Sequence, residues 1–277
     1  MSVAVFAIVL FSAMLHAAWN AIVKSAGDKL LTTVLVTAGA ALLAAFALPL
    51  LAPPAPASWP FIAASVALQV VYFALLAAAY HRADMSLAYP LMRGTAPLLV
   101  ALASAWWVGE HLSAWGWAGV GVISAGILGM AAAARGGTRS GLGLALINAA
   151  VIAAYTLVDG LGVRRSGAPA AYTAWVFLFT GLVLLAWALA ARRGEFIRHL
   201  ASHGHLGLLA GAGTLVAYGL ALWAMTSAPV ATVAALRETS ILFGTAIAAL
   251  VLKERVGAIR LAAACVIAAG AALLRLA

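Results

Sequence analysis

The chain is cut into ten apolar stretches, each close to the roughly 20 residues that carry an α-helix across a bilayer. They run over residues 3–23, 30–52, 59–80, 86–108, 113–134, 141–163, 169–191, 204–226, 228–252 and 256–276. The breaks between them carry turn and charge signals: Ala52-Pro53-Pro54-Ala55-Pro56, Arg135-Gly136-Gly137-Thr138-Arg139-Ser140 near the middle, and Arg192-Arg193-Gly194-Glu195, which opens the longest expected loop. Loops this short leave no room for a soluble domain, so any chemistry must sit on helices or at their ends. Composition agrees. The chain is 66% hydrophobic and 8% charged, against about 25% charged for a soluble domain. The expected fold is an all-α integral membrane protein of ten transmembrane helices. The first stretch is long enough to span and holds polar residues that a signal core avoids, so it reads as a retained helix.

The two halves resemble each other. With Arg93 set against Arg237, 11 of the 34 positions over 93–126 are identical, among them Thr95 with Thr239, Glu110 with Glu254, Ile123 with Ile267 and Gly126 with Gly270. Much of that is Ala and Val background, but Arg-x-Thr followed fifteen residues later by Glu is not, because charges are rare here. A weaker match sets Ala17-Ala18-Trp19 against Ala153-Ala154-Tyr155. Five crossings per half is an odd number, so the halves, residues 1–135 and 136–277, insert in opposite orientations. That inverted repeat places a binding site near the midplane, around a central cavity.

Charge excludes some functions. The net charge is +9, but the basic residues flank apolar stretches and read as topology anchors against anionic lipid headgroups. No basic stripe with interleaved aromatics is present, which argues against nucleic acid. Most Lys and Arg follow the odd-numbered stretches, which by itself places both termini outside. There is no phosphate-binding Gly-rich loop ending in Gly-Lys, no His-Glu-x2-His and no Gly-x-Ser-x-Gly elbow. No cofactor or metal is expected. His199, His203 and His205 read as a solvated loop, and Cys265 as a small buried hydrophobe.

An ionisable residue inside a crossing is a functional candidate, because burying it is costly. The first helix places His16, Trp19 and Asn20 on one face by their spacings of three and four; such a face can hydrogen-bond a polar solute or simply glue helices together. Tyr80 lies on the third helix. Tyr89 and Arg93 are i, i+4 neighbours between Pro90 and Pro97. Arg93 can accept a carboxylate bidentately, or snorkel to the interface. Tyr155 and Asp159 share a face of the sixth helix, and Asp159 can equally be a loop-end carboxylate. Tyr218 and Trp223 lie on the eighth helix, Arg237 and Glu238 on the ninth. Glu238 is a candidate for a protonatable coupling group or for a static ion pair with Arg93, Arg237 or Asp159. Glycines at packing spacing, Gly207-x3-Gly211 and Gly116, Gly119, Gly121, Gly126 and Gly129, allow close helix contact or a homodimer interface.

The segment Tyr89-Pro90-Leu91-Met92-Arg93-Gly94-Thr95-Ala96-Pro97, the later Lys253-Glu254-Arg255 and the repeat resemble the EamA-type branch of the drug/metabolite transporter superfamily, and within it the YddG-type amino-acid exporters. The resemblance implies ten helices around a cavity lined by helices 1, 3, 4, 6, 8 and 9, and export of amino acids or similar metabolites across a bacterial-type inner membrane by alternating access. Arg93 or Arg237 would then attract a carboxylate, and Asp159 or Glu238 an ammonium or a coupled proton. Rival expectations are an organic cation, held through cation–π contact, a phosphorylated or phosphonate metabolite, and an intramembrane enzyme using His16 as base.

Overall fold

The computed structural model describes residues 1–25, 28–133, 141–251, 253 and 256–277, with residues 24, 25, 80 and 85 described by their backbone alone. Among these residues the regular structure is all helix, and ten helical spans are long and apolar enough to cross a membrane. The helices are α1 (Val3–Ser25), α2 (Lys29–Ala47), α3 (Trp59–Arg82), α4 (Met85–Ala103), α5 (Ala114–Ala133), α6 (Leu142–Ser166), α7 (Pro169–Ala191), α8 (Arg193–Met225), α9 (Val230–Arg237), α10 (Ser240–Leu250) and α11 (Ala258–Leu276).

Two crossings differ from the sequence expectation. The stretch from Arg193 to His203 is not a loop but the first turns of α8, a helix of 33 residues. Phe196 anchors it, buried against Leu31, Leu35 and Leu184 of α2 and α7. The ninth crossing is two rods. At the join the Glu238 and Thr239 amides reach back only three residues, to the Ala235 and Leu236 carbonyls, both at 3.0 Å, a tighter winding than the α-helix. Every residue from Val230 to Leu236 is buried, whereas Ser240 and Ala248 are the buried residues of α10. Cys265 also departs from expectation: it is exposed on α11, on a face the protein itself leaves uncovered.

The helices interleave. α1 packs on α8 as α3 packs on α6, and α2–α7 and α5–α11 are the two larger seams between equivalent helices, with α4 meeting α9 in a smaller one. The glycines show why the seams are tight. A Cβ on Gly126 would stand 3.0 Å from Val266 and 3.3 Å from Ile267, and one on its equivalent Gly270 would stand 2.6 Å from Ile123. Ile123 and Ile267 are themselves equivalents, so the contact is reciprocal, as a two-fold relation between halves requires. Gly207 and Gly211 do the same work on α2: a Cβ would stand 2.5 Å from Leu35 and 2.6 Å from the Ala40 nitrogen.

One end of the molecule carries both termini, and Arg275 reaches the Met1 carbonyl there at 3.5 Å. The largest apolar cluster fills that end, drawing Val9, Ile62, Val100, Val163, Leu222 and Leu236 from six helices. At the opposite end the packing is split into two patches: Ala88, Met92 and Ala145 between α4 and α6, and Leu31, Leu35 and Phe196 between α2 and α8.

Candidate functional site

α4 runs through Pro90 and Pro97 without ending. A proline has no N–H to give the carbonyl four residues back, so Pro97 leaves the Arg93 carbonyl without its helix donor. The Arg93 side chain meets Glu238 at the break in the ninth crossing, Nε to Oε2 2.9 Å, with both side chains largely enclosed. The approach lies off the hydrogen-bonding direction, and Arg93 Nη2 is buried without a partner. The pair is therefore held by charge, across the seam between the halves. Of the alternatives open for Glu238, the static pair with Arg93 is the one observed.

Asp159 is not a loop-end carboxylate. It is fully buried. Its Oδ1 accepts from the Tyr172 hydroxyl at 2.9 Å and its Oδ2 from the Tyr218 hydroxyl at 2.5 Å, and Ser65 is a further side-chain donor. Ser65 in turn accepts from Gln69 Nε2 at 3.1 Å. Three hydroxyl donors and the longer-range charge of Arg237 offset the cost of burying this carboxylate. Sequence reasoning missed Tyr172 and Ser65. Tyr172 sits in the first turn after Pro169, where a tyrosine reads as an interface anchor, and only the fold turns it onto α6.

Arg237 lies over the Tyr218 ring, 4.9 Å from its centroid, and its Nε is buried without a partner. His16 is within electrostatic reach of both arginines and meets Trp19 edge to face at 5.2 Å. Trp19 packs against α8, where a Cβ on Gly213 would stand 3.2 Å from it, and its indole Nε1 is buried and unpartnered. Tyr72 and Tyr155 meet edge to face at 5.8 Å, and Tyr155 feels Arg237, Arg93, Asp159 and Glu238. Tyr89 is coupled to Arg93 and Glu238. One cluster thus collects side chains from α1, α3, α4, α6, α8 and α9.

Three expected members fare differently. Asn20 turns its amide back on its own helix, Nδ2 to the His16 carbonyl 2.7 Å, which lowers its capacity to bind a solute. Trp223 is 41% exposed. Five residues from Tyr218 is about 140° around a helix, so it points away from the cluster. The Tyr80 side chain lies outside the described residues.

A second polar node was not anticipated. Glu110 pairs with Arg164, Oε1 to Nη2 2.6 Å, accepts from Ser104 at 2.5 Å and from the Val230 amide at 2.9 Å. Arg164 also donates to the Met225 and Ala228 carbonyls at 2.7 and 2.9 Å. One ion pair thus satisfies the exposed backbone ends of α8 and α9. An outer groove of about 280 Å³ between α3 and α7, walled by Trp59, Ile62, Ala63, Val66 and Phe179, carries no ionisable group and does not suit a charged solute.

Residues 139–276 match the EamA-like transporter family. The C-terminal half of this chain is similar to EamA-like transporters. Residues 52–123 match the Small Multidrug Resistance protein family, and the two matches together support the drug/metabolite transporter superfamily and a multi-pass membrane transporter. Comparison with curated proteins finds no match. One solved crystal structure superposes over 98% of this chain and 95% of its own, with TM-score 0.71 and 19% identity. At that identity the likeness speaks for the fold alone: both halves, the EamA-like one included, follow an architecture already seen in a crystal.

Proposed function

We propose that this chain is a secondary carrier that exports small amino-acid-type metabolites across a bacterial-type inner membrane, in the manner of the YddG-type exporters it resembles. The observation that supports it most is the cluster of Arg93, Arg237, Glu238 and Asp159 with Trp19, Tyr72, Tyr155 and Tyr218, contributed by both halves. Charges at this depth are costly, and aromatic faces beside them suit a solute with one polar and one apolar end. The ends of the molecule also differ: one holds the largest apolar cluster and a smaller one between α2 and α7, and the other holds two small patches. Residues 1–135 and 136–277 would rearrange against each other about the two seams.

The test is uptake of a radiolabelled amino-acid mixture into liposomes carrying the purified protein, with and without a pH gradient. Saturable uptake that falls at least tenfold in Trp19→Ala and Tyr155→Ala, at unchanged protein level, supports the proposal. Folded protein that moves no amino acid in either condition sinks it. Dependence on the gradient separates proton antiport from facilitated passage.

A further inference from the structure

Arg93 and Arg237 are equivalents in the two halves, but the residues that follow them are not. Glu238 follows Arg237 and reaches across the seam to Arg93. The residue that would return the favour to Arg237 is the equivalent of Glu238 in the first half, and it is Gly94. A glycine has no carboxylate to offer, and Gly94 is packed so closely that a Cβ there would stand 2.8 Å from Leu128. Asp159 is the other carboxylate nearby. It is joined to Arg237 through Tyr218, whose ring lies under the guanidinium while its hydroxyl donates to Asp159. Each Asp159 oxygen accepts from a tyrosine hydroxyl, Tyr172 on one and Tyr218 on the other, and Arg237 acts on the carboxylate only at longer range. Among the described residues Arg237 Nε is left buried with no acceptor, as are Arg93 Nη2 and Trp19 Nε1, but Arg93 has a carboxylate at 2.9 Å and Arg237 has none in direct contact. The Trp19 ring meets His16, which lies within electrostatic reach of Arg237. A buried donor without an acceptor is costly, and a charged one more so.

We infer that Arg237, and not Arg93, receives the carboxylate of the carried molecule, with Trp19 Nε1 as a second donor. This rests on the carrier reading above and deepens it. The substrate supplies the direct acceptor that the first half lacks at Gly94, so in the bound state each arginine has a carboxylate in contact while Asp159 stays with its hydroxyls. Arg93 with Glu238 is then a fixed pair at the seam, and the specificity of the site for a carboxylate lies in Arg237. A guanidinium presents paired N–H groups that fit a carboxylate fork, and the Tyr218 ring holds it flat.

Three probes that share a benzyl group and differ in charge test this: 3-phenylpropionate, phenylalanine and phenylalaninamide. Binding is read as the shift of the thermal midpoint of purified protein, and transport as counterflow in liposomes. The two carboxylates are expected to bind and the amide to bind at least tenfold more weakly. Arg237→Gln should weaken the carboxylates by roughly ten- to hundredfold, and Arg237→Lys should restore part of the loss. Equal binding of acid and amide by the native protein overturns the assignment, as does an Arg237→Gln variant that folds and keeps the preference. Inorganic phosphate that competes more tightly than 3-phenylpropionate also overturns it, in favour of a phosphorylated ligand. The carrier reading fails separately. Protein that binds 3-phenylpropionate through Arg237 yet moves no labelled amino acid keeps the subsite and loses the amino-acid role.

Discussion

The end that holds the termini and the end opposite are built on different principles. At the first, nine helices contribute to one large apolar cluster, and the Glu110–Arg164 pair ties the turn after α4 to the ends of α6, α8 and α9. At the second, two smaller apolar patches touch through the adjacent rings of Tyr72 and Phe73. Of the polar contacts there, Asp28 with Arg192 at 3.0 Å and Arg192 with Glu195 lie toward the surface, while Thr32, which meets His199 at 2.9 Å, is buried. A cluster shared by nine helices resists opening, and two small patches resist it less. On the carrier reading proposed above, the terminus end is therefore the closed one, the opposite end the open one, and most of the free energy of transport is spent at the first.

Breaking the closed end should give the largest effect. Glu110→Ala removes the acceptor of Val230 N and the partner of Arg164 together, a loss of about 2–4 kcal/mol, toward the lower end because Arg164 is 30% exposed and solvent screens the pair. In a Cys265→Ser background, Ala231→Cys should become reactive to a water-soluble thiol reagent once Glu110 is removed. Equal reactivity with and without Glu110 would mean that the pair does not hold this end shut.

Next in size is the seam. Gly270→Val drives a side chain onto Ile123 and should cost about 1–3 kcal/mol, read as a lower midpoint in detergent. Gly129→Val, on α5 across the same seam but with nothing within 4 Å, should change stability by under about 0.5 kcal/mol. Similar losses at both would show that glycine matters here for the backbone rather than for helix approach.

At the open end the effects should be small. Asp28 caps α2 through the Leu31 amide at 2.9 Å. Burial pushes its carboxyl up, but the Leu31 amide and Arg192 outweigh that and hold it below its ordinary value of 3.8. A lowered acid contributes stability that is full above the unfolded value and lost as pH falls through the folded one. The contribution should therefore be complete at neutral pH and disappear below about pH 4. Asp28→Asn should cost under about 1 kcal/mol at pH 7, since the pair is exposed to solvent, and should flatten the acid limb of the melting curve. A cost of several kcal/mol would erase the contrast between the two ends. Smallest of all, Trp223→Phe should leave uptake unchanged, and a tenfold loss would return Trp223 to the site.

The crossings were legible because lipid selects for length and apolarity, which a sequence displays directly. The repeat was legible because Arg, Thr and Glu stand out against alanine. The start of α8 was not, because its Arg, His and Ser residues suggest water while Phe196 alone carries the packing signal. Within the cluster, residue types were readable one helix at a time, and the partners were not. Nothing in the local sequence says that Tyr172 turns toward Asp159, that Arg164 caps the ends of two other helices, or that Asn20 spends its amide on its own backbone. These are facts about neighbours far apart in the chain. Trp223 shows the same limit from the other side: an aromatic five residues from Tyr218 shares its helix but not its direction.

The reciprocal contact of Gly126 with Ile267 and Gly270 with Ile123 uses only residues that both halves possess. A surface that meets its own equivalent in this way does not need the chain to be continuous. Two separate copies of one five-helix unit, inserted head-up and head-down, could form the same seam from the same glycines. What the second half adds is the freedom to differ, and the single change that matters most for charge is Glu238 where its twin kept Gly94. The fused chain can thus balance the charge of one arginine with a contacting carboxylate and leave the other without one, a division of labour that a symmetric pair of identical subunits lacks.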